Sequence, residues 1–148
     1  MKEASKILIV DDDLAPEQKE PNGNYMWYYT QALRDAGHTV VEVVGPDSAI
    51  EVLSSTANSI DLVVLDIMMP PGRAYREDDT LNGLRTGVFL AKTVQSRYPD
   101  LPILVLTNVQ NPETLSQLRE MPSIRKVLYK PDCTPFDLVD EIKNLWET

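Results

Sequence analysis

The sequence predicts an α/β fold: a doubly wound, five-stranded parallel sheet with helices on both faces. Two observations predict it. Short apolar runs rich in β-branched residues recur along the chain, continuous rather than alternating, as strands covered on both faces require. Between them lie stretches with apolar residues at three- and four-residue steps, bounded by capping residues, glycines and prolines. Strand and helix therefore alternate, as in right-handed βαβ units.

The first strand is predicted at 7–10 (ILIV), followed by a helix over 24–36 with Met26, Tyr29 and Leu33 on one face and Gly37 as its stop. The second strand, 40–44, leads to a helix over 47–55 that buries Ala49, Ile50 and Leu53. A third strand at 62–65 (LVVL) precedes a helix over 84–97, where Val88, Ala91, Val94 and Tyr98 recur at helical spacing. Pro99 and Pro102 then bracket the turn into a fourth strand at 103–106. The fourth helix opens with Asn111 as N-cap and Pro112 in its first turn, and it ends before Pro122. The fifth strand is expected at 127–129. The last helix starts at Thr134-Pro135-Phe136-Asp137, a variant capping box, and turns Val139, Ile142 and Trp146 inward. Residues 14–23 and 71–84 do not fit this rhythm and read as two long loops.

With 148 residues, 43% hydrophobic and 25% charged, the chain matches about one globular domain, 1–148. Its net charge of −9 opposes a phosphate backbone or an anionic membrane, so neither nucleic acid nor membrane is expected as a direct partner. Cys133 is the only cysteine, which excludes an internal disulfide, and no apolar run is long enough for a signal peptide core or a membrane span. A cytoplasmic protein is expected.

In an open α/β sheet ligands bind beyond the carboxyl ends of the strands. Here the first strand ends in Asp11-Asp12-Asp13, the third in Asp66, the fourth in Thr107 and the fifth in Lys130-Pro131. Singly, each has an ordinary structural reading, as turn residue, cap, β-former or solvated lysine. Together they supply metal-binding carboxylates, a nucleophilic carboxylate, a hydroxyl and a fixed cation, the set that phosphoryl transfer requires. Several carboxylates on one rim repel unless a cation bridges them, and hard oxygen ligands suit Mg²⁺.

On these residues the sequence resembles the receiver domain of two-component response regulators. The matching segments are ILIVDD (7–12), DLVVLDIMMP (61–70), LPILVLT (101–107) and VLYKP (127–131). The resemblance implies a flavodoxin-like sheet of order 2-1-3-4-5 with five helices. It implies Asp66 as phosphoacceptor, Mg²⁺ held by Asp11, Asp12, Asp66 and the backbone carbonyl of Met68, and Lys130 on a phosphoryl oxygen. Thr107 matches the switch hydroxyl, and the Lys130–Pro131 bond matches the family's cis peptide. Asp13 caps or tunes the site. The phosphoryl donor would be a histidine kinase or phosphotransfer protein. With no effector segment after Trp146, output would pass to another protein, and a homodimer through the fourth helix, fifth strand and last helix is possible in this family. Such a protein is a signalling phosphoacceptor rather than an enzyme, apart from weak self-dephosphorylation.

The sequence also departs from the family. Val127 stands where receivers carry an aromatic switch residue, and Tyr129, two residues on and on the same side of the strand, is a candidate replacement or a packing residue. Asn108 follows Thr107 where a small residue is common, and it either meets the phosphoryl group or satisfies the loop backbone. The stretch from Asp66 to Gly87, which matches the family's glycine, is longer than usual, so 71–84 holds an insertion beside the site. It is a lid, a docking surface or tolerated decoration. Tyr25, Trp27, Tyr28 and Tyr29 cannot all face the sheet, leaving cover by the loops or a partner interface. Two alternative functions stand: a degenerate receiver acting as an interaction module, and a haloacid-dehalogenase-like phosphatase using Asp11-x-Asp13.

Overall fold

The computed structural model describes residues 4–14, 25–56 and 59–147. Five parallel strands form one sheet in the order β2-β1-β3-β4-β5, as predicted. They are β1 (Lys6–Val10), β2 (Thr39–Val43), β3 (Leu62–Leu65), β4 (Ile103–Thr107) and β5 (Ile124–Tyr129). The central strands β3 and β4 are buried at every position, which explains their unbroken apolar runs. β5 begins earlier than expected. As an edge strand it exposes Arg125 and Lys126, so its first half has no apolar run to read, and its ladder with β4 shifts register between Ile103 and Leu104.

Six α-helices occur among the described residues: α1 (Tyr25–Asp35), α2 (Pro46–Thr56), α3 (Glu77–Thr80), α4 (Thr86–Arg97), α5 (Pro112–Arg119) and α6 (Pro135–Glu147). Five correspond to the predicted ones. The extra one-turn helix α3 lies inside the stretch read as a loop, where Glu77, Asp78 and Asp79 form an acidic first turn that suits the positive end of a helix dipole. The other long loop, 14–23, lies almost wholly outside the described residues.

Local capping signals translate directly into geometry. The Asn111 side chain accepts the Thr114 N–H at 3.0 Å. Thr134 Oγ1 accepts from the Asp137 N–H at 3.1 Å while Asp137 Oδ2 accepts from the Thr134 N–H at 2.9 Å, closing the reciprocal box. Gly37, at φ 97°, ends α1 with the His38 N–H on the Leu33 carbonyl.

Two apolar layers cover the sheet. On one face Leu8, Val10, Val63 and Leu65 pack with Ala49 and Leu53 of α2, Val88, Ala91 and Val94 of α4, and Leu118 of α5. On the other, Ile7, Ile9, Val64 and Leu106 pack with Met26, Tyr29 and Leu33 of α1 and Leu138 and Ile142 of α6. Burying each such aliphatic side chain contributes about 2 kcal/mol against leaving it in water. The result is a rigid sheet that holds the carboxyl ends of β1, β3, β4 and β5 along one rim. No helix among the described residues is long and apolar enough to cross a membrane.

Candidate functional site

Lys130, at the end of β5, reaches back across the rim and places its Nζ 2.8 Å from Asp11 Oδ2 and 2.9 Å from Asp66 Oδ2. One ammonium thus joins the ends of β1, β3 and β5. All three residues are buried, with Lys130 only 5% exposed. Burial alone lowers the Lys130 ammonium, but Asp11 and Asp66 beside it reverse that and hold it above its usual range, so it stays charged. The other oxygens are fixed by backbone: Asp66 Oδ1 accepts the Ile67 N–H at 2.6 Å and Asp11 Oδ1 accepts the Asp13 N–H at 2.9 Å.

Positive charge is still short at this rim. Burial pushes the Asp11 carboxyl up to about 6 despite Lys130, with the Asp66 charge adding to the rise. Asp12 is raised as well, by burial and by its neighbours Asp13 and Asp66. Asp11, Asp12 and Asp13 bring carboxylate oxygens within 4.8 Å of one another. Clustered hard oxygens with an uncompensated negative charge fit Mg²⁺. Asp13, set outside the metal pair by the sequence, belongs to this cluster through its carboxylate while its N–H orients Asp11. Met68 and Asp12 line one open cleft of about 390 Å³.

Thr107 is buried at the end of β4, where its Oγ1 accepts the Val109 N–H at 3.1 Å, tying the hydroxyl to the loop that leads into α5. Tyr129 sits in register beside Thr107 and is half-buried. Val127 packs into the apolar layer beneath α4 and α5. Asn108 is exposed and lines a smaller cavity of about 190 Å³ with Asp13, Met26, Lys130 and Pro131, on the side of the rim nearer α1.

One expectation is corrected. The Lys130–Pro131 peptide is trans, since no cis bond occurs among the described residues. The chain passes directly from β5 into a 3-10 turn, Lys130–Asp132, with the Cys133 N–H on the Lys130 carbonyl, and a trans proline with its fixed φ fits that turn.

The structure adds one support that the sequence did not reveal, and the reason for the glycine at 87. The Tyr29 hydroxyl, fully buried, donates to the Cys133 carbonyl and ties α1 to the segment after Lys130. Gly87 lies so close to the Asp66 segment that a Cβ there would be 2.2 Å from the Asp66 carbonyl oxygen. Cys133 itself is buried, and burial pushes its thiol up to about 11, so it is no nucleophile at neutral pH. Of the aromatic cluster, Tyr29 faces the core while Trp27 and the exposed Tyr28 meet edge to face at 5.1 Å.

No protein-family model matches the chain, and no curated protein matches it in sequence. Solved structures do. The isolated receiver (REC) domain of RcsB from Salmonella enterica serovar Typhimurium, in the presence of phosphomimetic BeF3⁻, superposes with a TM-score of 0.72 at 23% identity, covering 97% of this chain and 89% of that one. A CheY-like response regulator receiver domain protein from Methanospirillum hungatei gives 0.73 at 19% identity, over 97% and 94%. A chemotaxis response regulator of Vibrio cholerae gives 0.66 at 24%, over 95% and 98%. The fold of this chain is that of the response regulator receiver domains.

Proposed function

We propose that this chain is a phosphoacceptor receiver that takes a phosphoryl group on Asp66 and signals through protein contacts. The observation that carries the reading is the Lys130 ammonium bridging Asp11 and Asp66 at the ends of three strands. In the transfer, an Asp66 carboxylate oxygen forms a bond to phosphorus as the bond from phosphorus to the donor breaks. With a phosphohistidine donor, from a histidine kinase or phosphotransfer protein, the leaving imidazole keeps the bonding pair and takes up a proton. Lys130 remains an ammonium and offers its N–H bonds to the incoming phosphoryl oxygens. Asp11, Asp12, Asp66 and the Met68 carbonyl would hold Mg²⁺, which neutralises phosphoryl charge when bound. The same groups assist attack by water, giving slow self-dephosphorylation.

Thr107 is the residue that converts the new charge into movement. Turning its hydroxyl toward the phosphoryl group surrenders the Val109 N–H, so residues 108–111 and the start of α5 must rearrange. Arg85, just before α4, donates to Gln117 on α5, so that movement also loads the end of the insertion. The face of α5, β5 and α6 then changes its affinity for an output protein or a second copy of the chain. Tyr129, beside Thr107 in the ladder, takes the place of the missing aromatic at Val127. The acidic charge fits a cytoplasmic protein without direct nucleic-acid or membrane contacts.

Beryllofluoride with Mg²⁺ tests this reading, because it places a phosphoryl mimic on a receptive aspartate. Amide resonances of residues 107–121 are expected to shift, and an unchanged spectrum would overturn the switching mechanism. Val127 favours a second reading, a phosphorylation-independent interaction module, for which partner binding would be the same with and without the mimic.

A further inference from the structure

The insertion forms a second feature of the rim, beside the phosphoacceptor site and sharing Asp12 and Met68 with it. It is pinned at both ends. Asp47, in the first turn of α2, accepts the N–H groups of Arg73 and Ala74, each at 2.8 Å. Gly72, at φ 63°, passes so near that a Cβ would stand 2.4 Å from Asp47 Oδ2. The Tyr75 hydroxyl shares a hydrogen with Thr93 Oγ1 at 2.6 Å. At the far end Thr86 Oγ1 donates to the Met69 carbonyl at 2.6 Å, and the Met69 N–H donates to the Gly83 carbonyl at 3.1 Å. These bonds make a fixed frame rather than a free loop.

On that frame the chain exposes what a fold ordinarily hides. Met68, Leu81 and Leu84 are 44%, 52% and 53% exposed, three of the six large apolar side chains exposed among the described residues. Leu81 and Asn82 are also the two non-glycine residues with positive φ there, at 54° and 57°. A leucine in the left-handed region is strained, and the strain persists because Thr80 Oγ1 accepts the Gly83 N–H and the Asn82 N–H donates to the Glu77 carbonyl. Met68, Pro70, Pro71 and Leu84 line the open cleft of about 390 Å³, and its charged lining residues, Asp12 and Glu77, are both acidic.

We infer that this cleft docks a basic, apolar-anchored segment of a partner protein, with leucine-like side chains on Met68 and Leu84 and a Lys or Arg facing Glu77. Charge complementarity selects this occupant: an acidic-rimmed apolar cleft on a chain of net charge −9 repels acidic segments and anionic lipid surfaces. Docking through Glu77, Leu84 and the prolines needs no phosphoryl group, so Asp66→Asn is expected to lose labelling and keep peptide binding, and the two readings fail separately.

The test uses a short synthetic peptide rich in Leu and Lys, and a companion with Glu in place of Lys. Titration of the Lys peptide is expected to shift amide resonances within 68–85, and the Glu peptide to leave them unchanged. The variant Leu84→Ser is expected to weaken binding about tenfold, and Glu77→Lys about threefold, as lost apolar contact and reversed charge require. Leu84 is exposed, so the fold survives its replacement. No binding, binding undiminished in the variants, shifts confined to other surfaces, or self-association through this face in place of peptide binding would each overturn the inference.

Discussion

Lys130→Met is expected to destabilise the protein by about 3 kcal/mol, the range for removing one partner of a buried ion pair. The ammonium lies 2.8 Å from Asp11 and 2.9 Å from Asp66, and without it two buried carboxylates face each other uncompensated. The loss is in what the lysine leaves behind rather than in the contact itself. Asp11→Asn in the Lys130→Met background is therefore expected to recover much of the stability, because it removes one of the stranded charges. Mg²⁺ is expected to raise the melting temperature of Lys130→Met more than that of the native chain, since a cation supplies the missing charge. Denaturant unfolding of the single and double variants measures the first effect, and thermal melts with and without Mg²⁺ the second.

Gly87→Ala is the other large effect. Its Cβ would lie 2.2 Å from the Asp66 carbonyl oxygen and 2.5 Å from the Ile67 Cα, both backbone atoms that cannot rotate away. The helix α4 must retreat or the Asp66 segment must move, at a cost of about 3 kcal/mol, the upper part of the overpacking range. The displaced backbone is that of the proposed phosphoacceptor, so labelling of Asp66 is expected to fall together with stability. Gly45→Ala supplies the contrast: a Cβ there meets nothing within 4 Å, and little change is expected in unfolding experiments run side by side.

What could be read from the sequence was what neighbouring residues decide. The caps at Asn111 and Thr134, the stop at Gly37 and the buried runs of β3 and β4 each rest on a few adjacent positions. The meeting of Asp11, Asp66 and Lys130 was legible for a different reason: parallel strands put their carboxyl ends on one rim, so topology alone makes distant residues neighbours. Asp47 holding Arg73 and Ala74 follows no such rule, because any of several carboxylates would have served equally well in the sequence. The first half of β5 was hidden because Arg125 and Lys126 face solvent at the sheet edge. The helix α3 is a single turn, too short for periodicity to register. The trans bond at Pro131 reflects the turn that receives it, which the preceding residues do not encode.

The central claim is that Asp66 accepts a phosphoryl group, and intact-protein mass after incubation with acetyl phosphate and Mg²⁺ tests it most directly. The native chain is expected to gain the mass of one phosphoryl group, and Asp66→Asn to gain none. Equal labelling of both proteins, or no labelling of the native chain under conditions where Mg²⁺ binding is measured, would contradict it.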